Sequence, residues 1–330
     1  MKAAVVHDVG GTPRFEEFDE PVPREGEVLV EVQAVAVETI DREIVAGRHF
    51  SAAAFLDALP AVPCFDGVGR LPDGSLVGFG GARPPFGALA ERTVVPEAYV
   101  SPVPEGIDPA VAVVLVSAVT GFAIRTAGGF EPGQTVLIQG ATGVAGRLAV
   151  QVARKLGAGR IVATGRRADA LREVAELGAD VTIDTAVPDD ELIAAFAREA
   201  GSGYDVVLDF LWGRPTELLL RALTPDELGF APPTRLIQVG ASAGETLTLS
   251  AASVRTSGVE IVGVAKGLTP EAMGEAYEQV VRWARVGGLS FSIERVPLSQ
   301  IEIAWNRSDL AGRRLVVLPD SASPPRQADR

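Results

Sequence analysis

The most constraining feature of this 330-residue chain is a glycine loop set between an apolar strand and a helix: Thr135-Val136-Leu137-Ile138-Gln139-Gly140-Ala141-Thr142-Gly143-Val144-Ala145-Gly146. Glycine lets the backbone turn sharply after a buried strand, and the free N–H groups at the helix start point at an anion placed there. Pyrophosphate needs this arrangement. The strict dinucleotide fingerprint has glycine where this chain has Ala141; Gly140 precedes it, and Gly143 and Gly146 keep the remaining spacing. A glycine triplet alone is weak evidence, since a plain turn can also be glycine-rich. Its setting is what selects the dinucleotide reading. From Gly133 the chain alternates apolar strands (135–139, 161–163, 181–183, 206–208, 236–239, 261–264) with amphipathic helices (144–156, 169–177, 190–200, 215–223). Strands that are apolar throughout, separated by helices, predict a parallel sheet covered on both faces, an α/β doubly wound Rossmann sheet.

The end of the second strand of that sheet carries the cofactor choice. A site for NAD usually places Asp or Glu there, to accept from the ribose 2′-OH. This chain reads Ile161-Val162-Ala163-Thr164-Gly165-Arg166-Arg167, with no carboxylate before Asp169. Two guanidiniums where an acid would sit favour a 2′-phosphate, through charge-assisted fork contacts, and so NADP(H). The competing reading makes one or both arginines solvated residues at a helix start. Two further segments follow strand ends, where ligands sit in open α/β sheets: Val239-Gly240-Ala241-Ser242 and Val264-Ala265-Lys266. Lys266 either contacts cofactor or only solvent.

The first hundred residues are β-rich. Residues 27–37 form a strand with one apolar face (Val28, Val30, Val32, Ala34, Ala36), and Gly/Pro clusters such as Pro72-Asp73-Gly74 and Pro84-Pro85 break the rest into short strands and turns. Asp108-Pro109 reads as an N-cap with proline at the first helical position, and Gly128-Gly129 as the far end of that helix. After Lys266 come one long helix, 270 to about 286, and a strand at 314–318. The tail 321–330, with Pro-Pro and no large apolar residue, is expected to fray. Thirty Lys and Arg against 43 Asp and Glu give a net charge of −13, which repels phosphate backbones and anionic lipid and argues against nucleic-acid or membrane partners. The apolar run 110–119 is interrupted by Ser117 and too short to span a bilayer, and the N-terminus has no core of signal-peptide length. The expectation is a soluble, cytoplasmic protein. One cysteine, Cys64, excludes an internal disulfide framework and any multi-thiolate metal site.

At this point the residues resemble the medium-chain dehydrogenase/reductase superfamily, specifically its zinc-independent quinone oxidoreductase branch. The resemblance covers nearly the whole chain. It runs through the opening Met1 to Val6, the segment Val37 to His49, Pro63-Cys64-Phe65-Asp66-Gly67-Val68-Gly69, Ser117-Ala118-Val119-Thr120-Gly121, the glycine loop, Leu177-Gly178-Ala179-Asp180, Tyr204 to Asp209, and Gly312-Arg313. It implies a GroES-like β-barrel catalytic domain built from residues 1–117 and 266–330 around a Rossmann domain of residues 118–265. It also implies a homodimer, a cleft between the domains for the nicotinamide, and a nicotinamide contact at Thr120.

Zinc-dependent relatives in the superfamily make a sharp alternative. The positions that look equivalent to their catalytic ligands are Glu38, Phe65 and about Val116, and one Cys with two His (His7 and His49) cannot supply either of their zinc sites. Without a Lewis acid to polarise an alkoxide, reduction of an already electron-poor acceptor is the easier chemistry. Glu38 stands where the branch usually has Asn, and His49 where it often has Tyr. His49 could donate a proton, with Glu38 nearby keeping it charged; alternatively His49 lies on a mobile loop and Glu38 is a solvated strand-end carboxylate. Asp41 matches the family's Asp, or simply pairs with Arg42 or Arg48. Cys64 stands where the family has Gly and reads as a small packed residue rather than a reactive thiol. Phe210-Leu211-Trp212-Gly213 replaces the family's small residues and either fills the substrate side or belongs to the core. The expected activity is NADPH-dependent, zinc-free hydride transfer to a small-molecule quinone or α,β-unsaturated carbonyl. The rivals are a pathway-specific enoyl or enone reductase on a larger intermediate and a low-turnover NADPH-binding protein.

Overall fold

Short apolar strands punctuated by Gly and Pro build the first part of the chain. A computed structural model describes residues 1–201, 203–225, 231–310 and 312–320; the tail expected to fray lies outside the described residues. In chain order the first elements are β1 (Lys2–Val5), β2 (Arg14–Glu17), β3 (Glu27–Val37), α1 (Thr39–Val45), α2 (Ala53–Leu56), β4 (Gly67–Arg70), β5 (Leu76–Phe79), β6 (Arg92–Pro96), β7 (Val100–Pro102) and α3 (Pro109–Val119). The next are α4 (Ala123–Thr126), β8 (Thr135–Gln139), α5 (Val144–Lys155), β9 (Arg160–Gly165), α6 (Ala168–Glu176), β10 (Val181–Asp184), α7 (Asp189–Ala200), β11 (Val206–Asp209) and α8 (Gly213–Ala222). The series closes with β12 (Thr234–Gln238), α9 (Ala251–Thr256), β13 (Val259–Gly263), α10 (Pro270–Arg285), β14 (Ile293–Pro297), α11 (Ile301–Ala304) and β15 (Arg314–Leu318).

Packing divides the chain into two units, Met1–Leu115 with the chain from Ser292 onward, and Val116–Phe291. In the first unit a seven-stranded sheet runs β14-β15-β3-β4-β5-β7, with β6 also on β3; only β14 and β15 pair in parallel. The length of β3 lets it change partners, β6 along 27–31, β4 along 31–34 and β15 along 35–37, with a register shift between Val32 and Ala34 that bends it. Val5, Val30, Val35, Phe55, Leu89, Trp305, Leu315 and Val317 pack together beneath it.

The second unit holds a six-stranded, all-parallel sheet in the order β10-β9-β8-β11-β12-β13. Strand order reverses between β8 and β11, which is the doubly wound arrangement expected from the alternation of strands and helices. Successive residues serve opposite faces. Ile138, Leu208 and Ile237 pack with Ile124, Ala149, Ala153 and Val174, whereas Leu137, Val162, Val207 and Leu236 pack with Leu192, Phe196, Leu218 and Leu219.

Three differences from the sequence reading have physical causes. The helix begun at Pro109, where the Asp108 carboxylate accepts from the Ala110 amide at 2.7 Å, tightens into a 3₁₀ turn at Thr120–Phe122 before α4. At that turn Gly121 meets α5 so closely that a Cβ would lie 2.9 Å from Val152 Cβ. Residues 266–291 group with the second unit rather than the first. Trp283 stacks on Phe122 at 5.6 Å, and the Gln151 side chain both donates to Ser290 O and accepts from its amide. Finally, Pro109–Thr126 is 18 residues long with a mean hydropathy of 1.7, enough to match a membrane span by length and composition, but most of it is buried within the protein.

Candidate functional site

The parallel registers Asp209↔Gln139, Asp209↔Gln238 and Gln238↔Gly263 bring the loops after β8, β11, β12 and β13 out at one edge of the sheet, and the loop after β9 leaves from the same edge. The glycine loop lies at its centre. Gly140 takes φ 78°, and a Cβ there would meet Leu211 at 2.9 Å. At Gly146 a Cβ would lie 2.4 Å from Gly140 O, so this glycine is what lets α5 sit against the loop. Gly143, by contrast, is exposed, and a Cβ there would find only Gly140 O at 3.7 Å. As N-cap of α5 it offers no side chain, so the first amides of the helix, from Val144 and Ala145, are left for a ligand or water.

Thr164 and Gly165, expected beside the cofactor, fasten the loop instead. Thr164 is fully buried; its hydroxyl accepts from Gly140 N at 3.0 Å and its carbonyl from Ala141 N at 2.9 Å. Ala141 is likewise buried, and a Cβ at Gly165 would sit 2.3 Å from the Thr142 side chain. The two arginines separate. Arg167, N-cap of α6, holds Asp169 through Nε and Nη2, and this pairing pulls the Asp169 carboxyl well below the usual carboxylate range. Arg166 is exposed and forms no ion pair among the described residues. A third arginine was missed. Arg147 Nε donates to Thr142 O at 3.0 Å and its Nη1 reaches Glu173 at 2.5 Å, tying the loop to α6. The signal was a basic residue in the first turn of a helix, where the macrodipole disfavours one.

Across the switch point, Asp209 is fully buried at the end of β11. One carboxylate oxygen accepts from Leu211 N (2.8 Å) and Trp212 N (3.1 Å), the other from Thr216 Oγ1 (2.6 Å), which in turn accepts from Gln139 Nε2 (3.2 Å). Burial raises the carboxyl, against the pull of these donors. They hold residues 210–213 in a turn with Trp212 at φ 56°, and the turn is laced to the next loop by Ser242 Oγ→Phe210 O (3.0 Å) and Ala243 N→Leu211 O (2.8 Å). Phe210 packs on one core of the sheet and Trp212 on the other. Val239 and Gly240 are half-buried at the same edge and Ala241 is exposed. Val264 N bonds Gln238 O, while Lys266 pairs with Glu260 at 3.5 Å, so its recorded partner is a side chain of β13. Thr120 is half-buried in its 3₁₀ turn.

In the first unit α1 separates the other candidates. Glu38 is its N-cap and pairs with Arg314 at 2.9 Å, while His49 follows the far end of the helix. The seven residues of α1 span about 10 Å. His49 Nδ1 instead meets Ser51 Oγ at 2.7 Å, its ring lies 4.3 Å from Phe50, and the acid beside it is Glu43, held by Arg48 at 2.7 Å. The expected Glu38–His49 pair is therefore not formed. Asp41 pairs with neither Arg42 nor Arg48. It is buried, its Oδ2 accepts from Glu38 N at 2.7 Å, and its Oδ1 has no hydrogen-bond partner among the described residues. Around it stand Cys64, Asp66, Arg42 and Arg314. Cys64 takes φ 65°, the left-handed region glycine favours, and burial next to Asp41 and Asp66 pushes its thiol well up, as a packed rather than reactive group. Burial, with the charges of Asp41 and Glu38, raises Asp66 too. Sequence reasoning missed Asp66 and Arg314 because no local pattern joins positions so far apart.

A zinc ion does not fit these residues. Phe65 and Val116 carry no donor, Glu38 is engaged by Arg314, and among the described residues no group of three His, Cys, Asp or Glu is placed to hold a metal.

The zinc-binding dehydrogenase family matches residues 145–285. A probable NADPH-dependent quinone reductase of Emericella nidulans is 28% identical over 228 residues, 65% of this chain and 63% of that protein. Prostaglandin reductase-3 of Bos taurus is 29% identical over 232 residues, 68% of this chain and 58% of that one. The chain thus spans about three fifths of the length of these curated relatives. Among solved structures, the quinone oxidoreductase of Thermus thermophilus, whose complex with NADPH is known, superposes with a TM-score of 0.73 at 26% identity, over 96% of this chain and all of that one. A glycine loop at the switch point of a doubly wound sheet, a second unit built on a mixed sheet, and these matches make the chain similar to zinc-binding dehydrogenases and to quinone oxidoreductases.

Proposed function

We propose that the chain is an NADPH-dependent reductase that passes hydride to quinones or to the C=C bond of α,β-unsaturated carbonyls without zinc. The observation that carries this is the uncapped start of α5 behind Gly143, at the sheet's switch point, with the uncommitted Arg166 one strand away. The amides of Thr142, Val144 and Ala145 would hold the pyrophosphate, the Gly143 amide being taken by Gly140 O, and Arg166 rather than Arg167 the 2′-phosphate. Bound NADPH supplies the hydride. The chain's own work is to orient that cofactor, exclude water and provide a proton, since hydride addition leaves an enolate or a hydroquinone anion that must be protonated.

The departures at Glu38 and His49 favour, as a second reading, an enone or enoyl reductase for a larger intermediate. The homodimer is also proposed here: β13 is the outer strand of its sheet, bonded only to β12, and carries the exposed Ile261. The test is NADPH and NADH oxidation, with a chelator present, against 1,4-quinones, ortho-quinones and 2-enals. Chelator-insensitive NADPH turnover supports the reading; faster use of NADH sinks the Arg166 argument, and no turnover with any of these acceptors sinks the quinone and small-enone reductase and leaves the enzyme of a larger intermediate or a low-turnover NADPH binder.

A further inference from the structure

The glycine loop of the second unit is held by more than its glycines. Arg147 stands in the first turn of α5, directly after Gly146, and side chains on a helix lean back toward its N-terminus. A long side chain here therefore reaches the loop that precedes the helix. Its Nε donates to Thr142 O at 3.0 Å and its Nη1 meets Glu173 of α6 at 2.5 Å, with the side chain only 15% exposed. The position is an unfavourable one for a cation, because the amides at a helix start carry partial positive charge and no side chain caps them here. An anion bound at those amides would turn the same charge into an attraction. Arg147 thus suits the occupied site better than the empty one.

What the guanidinium fixes is one peptide plane. In a trans peptide the carbonyl and the following N–H point opposite ways. With Thr142 O drawn to Arg147, the Gly143 N–H is turned to Gly140 O, which it meets at 3.2 Å. The plane lies between the amides of Thr142 and Val144, and its tilt sets where both of them point. Gly143 adds no stiffness of its own: its φ of −75° is one that any residue adopts, and a glycine is free to leave it. Glu173 in turn fixes the guanidinium, and it belongs to the helix capped by Arg167, next to Arg166.

We propose that Arg147 is a positioning residue for the pyrophosphate of the dinucleotide. It acts through the Thr142–Gly143 peptide, supports NADPH and NADH binding equally, and takes no part in choosing between them. The role in binding rests on the cofactor site proposed above; the pin on the loop does not.

Two variants of the full chain test this. Arg147→Gln removes the guanidinium, and Arg147→Lys keeps the charge but offers one ammonium where the fork serves both Thr142 O and Glu173. Hydrogen exchange of the ligand-free protein, read at the Gly143 amide, should quicken about tenfold in both variants, while the amides of residues 150–153 within α5 keep their wild-type rates. Calorimetry should show NADPH and NADH weakened by the same factor, about tenfold in Arg147→Gln and at least about fivefold in Arg147→Lys. The affinity for 2′-AMP, which has no pyrophosphate, should stay within about twofold of wild type. An unchanged Gly143 rate overturns the pin, and so does quickened exchange throughout α5, since the side chain then only supports the helix. NADPH weakened without NADH, or 2′-AMP weakened as much as the dinucleotides, overturns the pyrophosphate role. Full recovery in Arg147→Lys makes charge rather than position the cause and overturns the proposal. If the wild type binds neither dinucleotide, the cofactor reading fails and the binding role with it, and the exchange rates alone decide the pin.

Discussion

Two aspartates in this chain are equally hidden from water and differ in everything else. Asp209 has three donors on its two oxygens, from Leu211, Trp212 and Thr216; Asp41 has the Glu38 amide on one oxygen and nothing on the other except a nearby thiol, a weak donor. Burial pushes both carboxyls up. The donors decide what the burial is for. Asp209 is spent as a charged clamp that shapes the turn over Gly140, whereas Asp41 is left in a state where holding a proton is the cheaper solution.

The largest expected effect tests the clamp. Asp209→Ala strands two amides and a hydroxyl in the core and should destabilise the protein by about 5 kcal/mol in denaturant melts. Asp41→Asn should act in the opposite direction and depend on pH. The wild-type carboxyl is raised from 3.8 to about 7, so the native state binds the proton more tightly than the unfolded chain. Its contribution is fully present below the unfolded value and is lost as pH rises through the folded one. The stability of Asp41→Asn minus wild type should therefore grow across that window by about 4 kcal/mol and level off above it. If that difference stays flat with pH, the contrast between the two aspartates collapses.

Smaller effects sharpen the contrast between the two units. Gly146→Ala drives a Cβ into the Gly140 carbonyl and should cost about 2–3 kcal/mol of stability, with weaker NADPH binding by calorimetry. Arg166→Ala should weaken NADPH binding about tenfold to a hundredfold and leave NADH unchanged, whereas Arg167→Ala should shift neither by more than about twofold, because its charge is committed to Asp169. The smallest is a ranking: with φ 65° at position 64, Cys64→Gly should be more stable than Cys64→Ala by about 1 kcal/mol, although alanine keeps more apolar volume.

What could be read from sequence follows the same division. The parallel sheet was legible because each of its strands is a short apolar run with a helix on either side, and β8 matches its expected bounds to the residue. The strands β12 and β13 begin two residues earlier than their apolar runs, at Thr234 and Val259, because parallel pairing extends over Arg235 and Glu260, which no apolar pattern marks. The glycine loop was visible, but not that Thr164 and Gly165 would be used up in bracing it. Least legible was the first unit's acid cluster. Asp41, Asp66 and Arg314 come from a helix, a loop and a strand nearly three hundred residues away, and only the closing of the sheet puts them in one place.

That closing also sets an order of events at the ribosome. β3 receives β15 along Val35–Val37 only after the whole parallel sheet has been translated. Until then the nascent first unit presents an apolar strand edge, the kind of surface that recruits chaperones or neighbouring chains. The inserted unit with the parallel sheet, continuous in sequence, can fold while the first unit waits, so a chain released before Ser292 would carry a finished parallel-sheet unit on an unfinished first one.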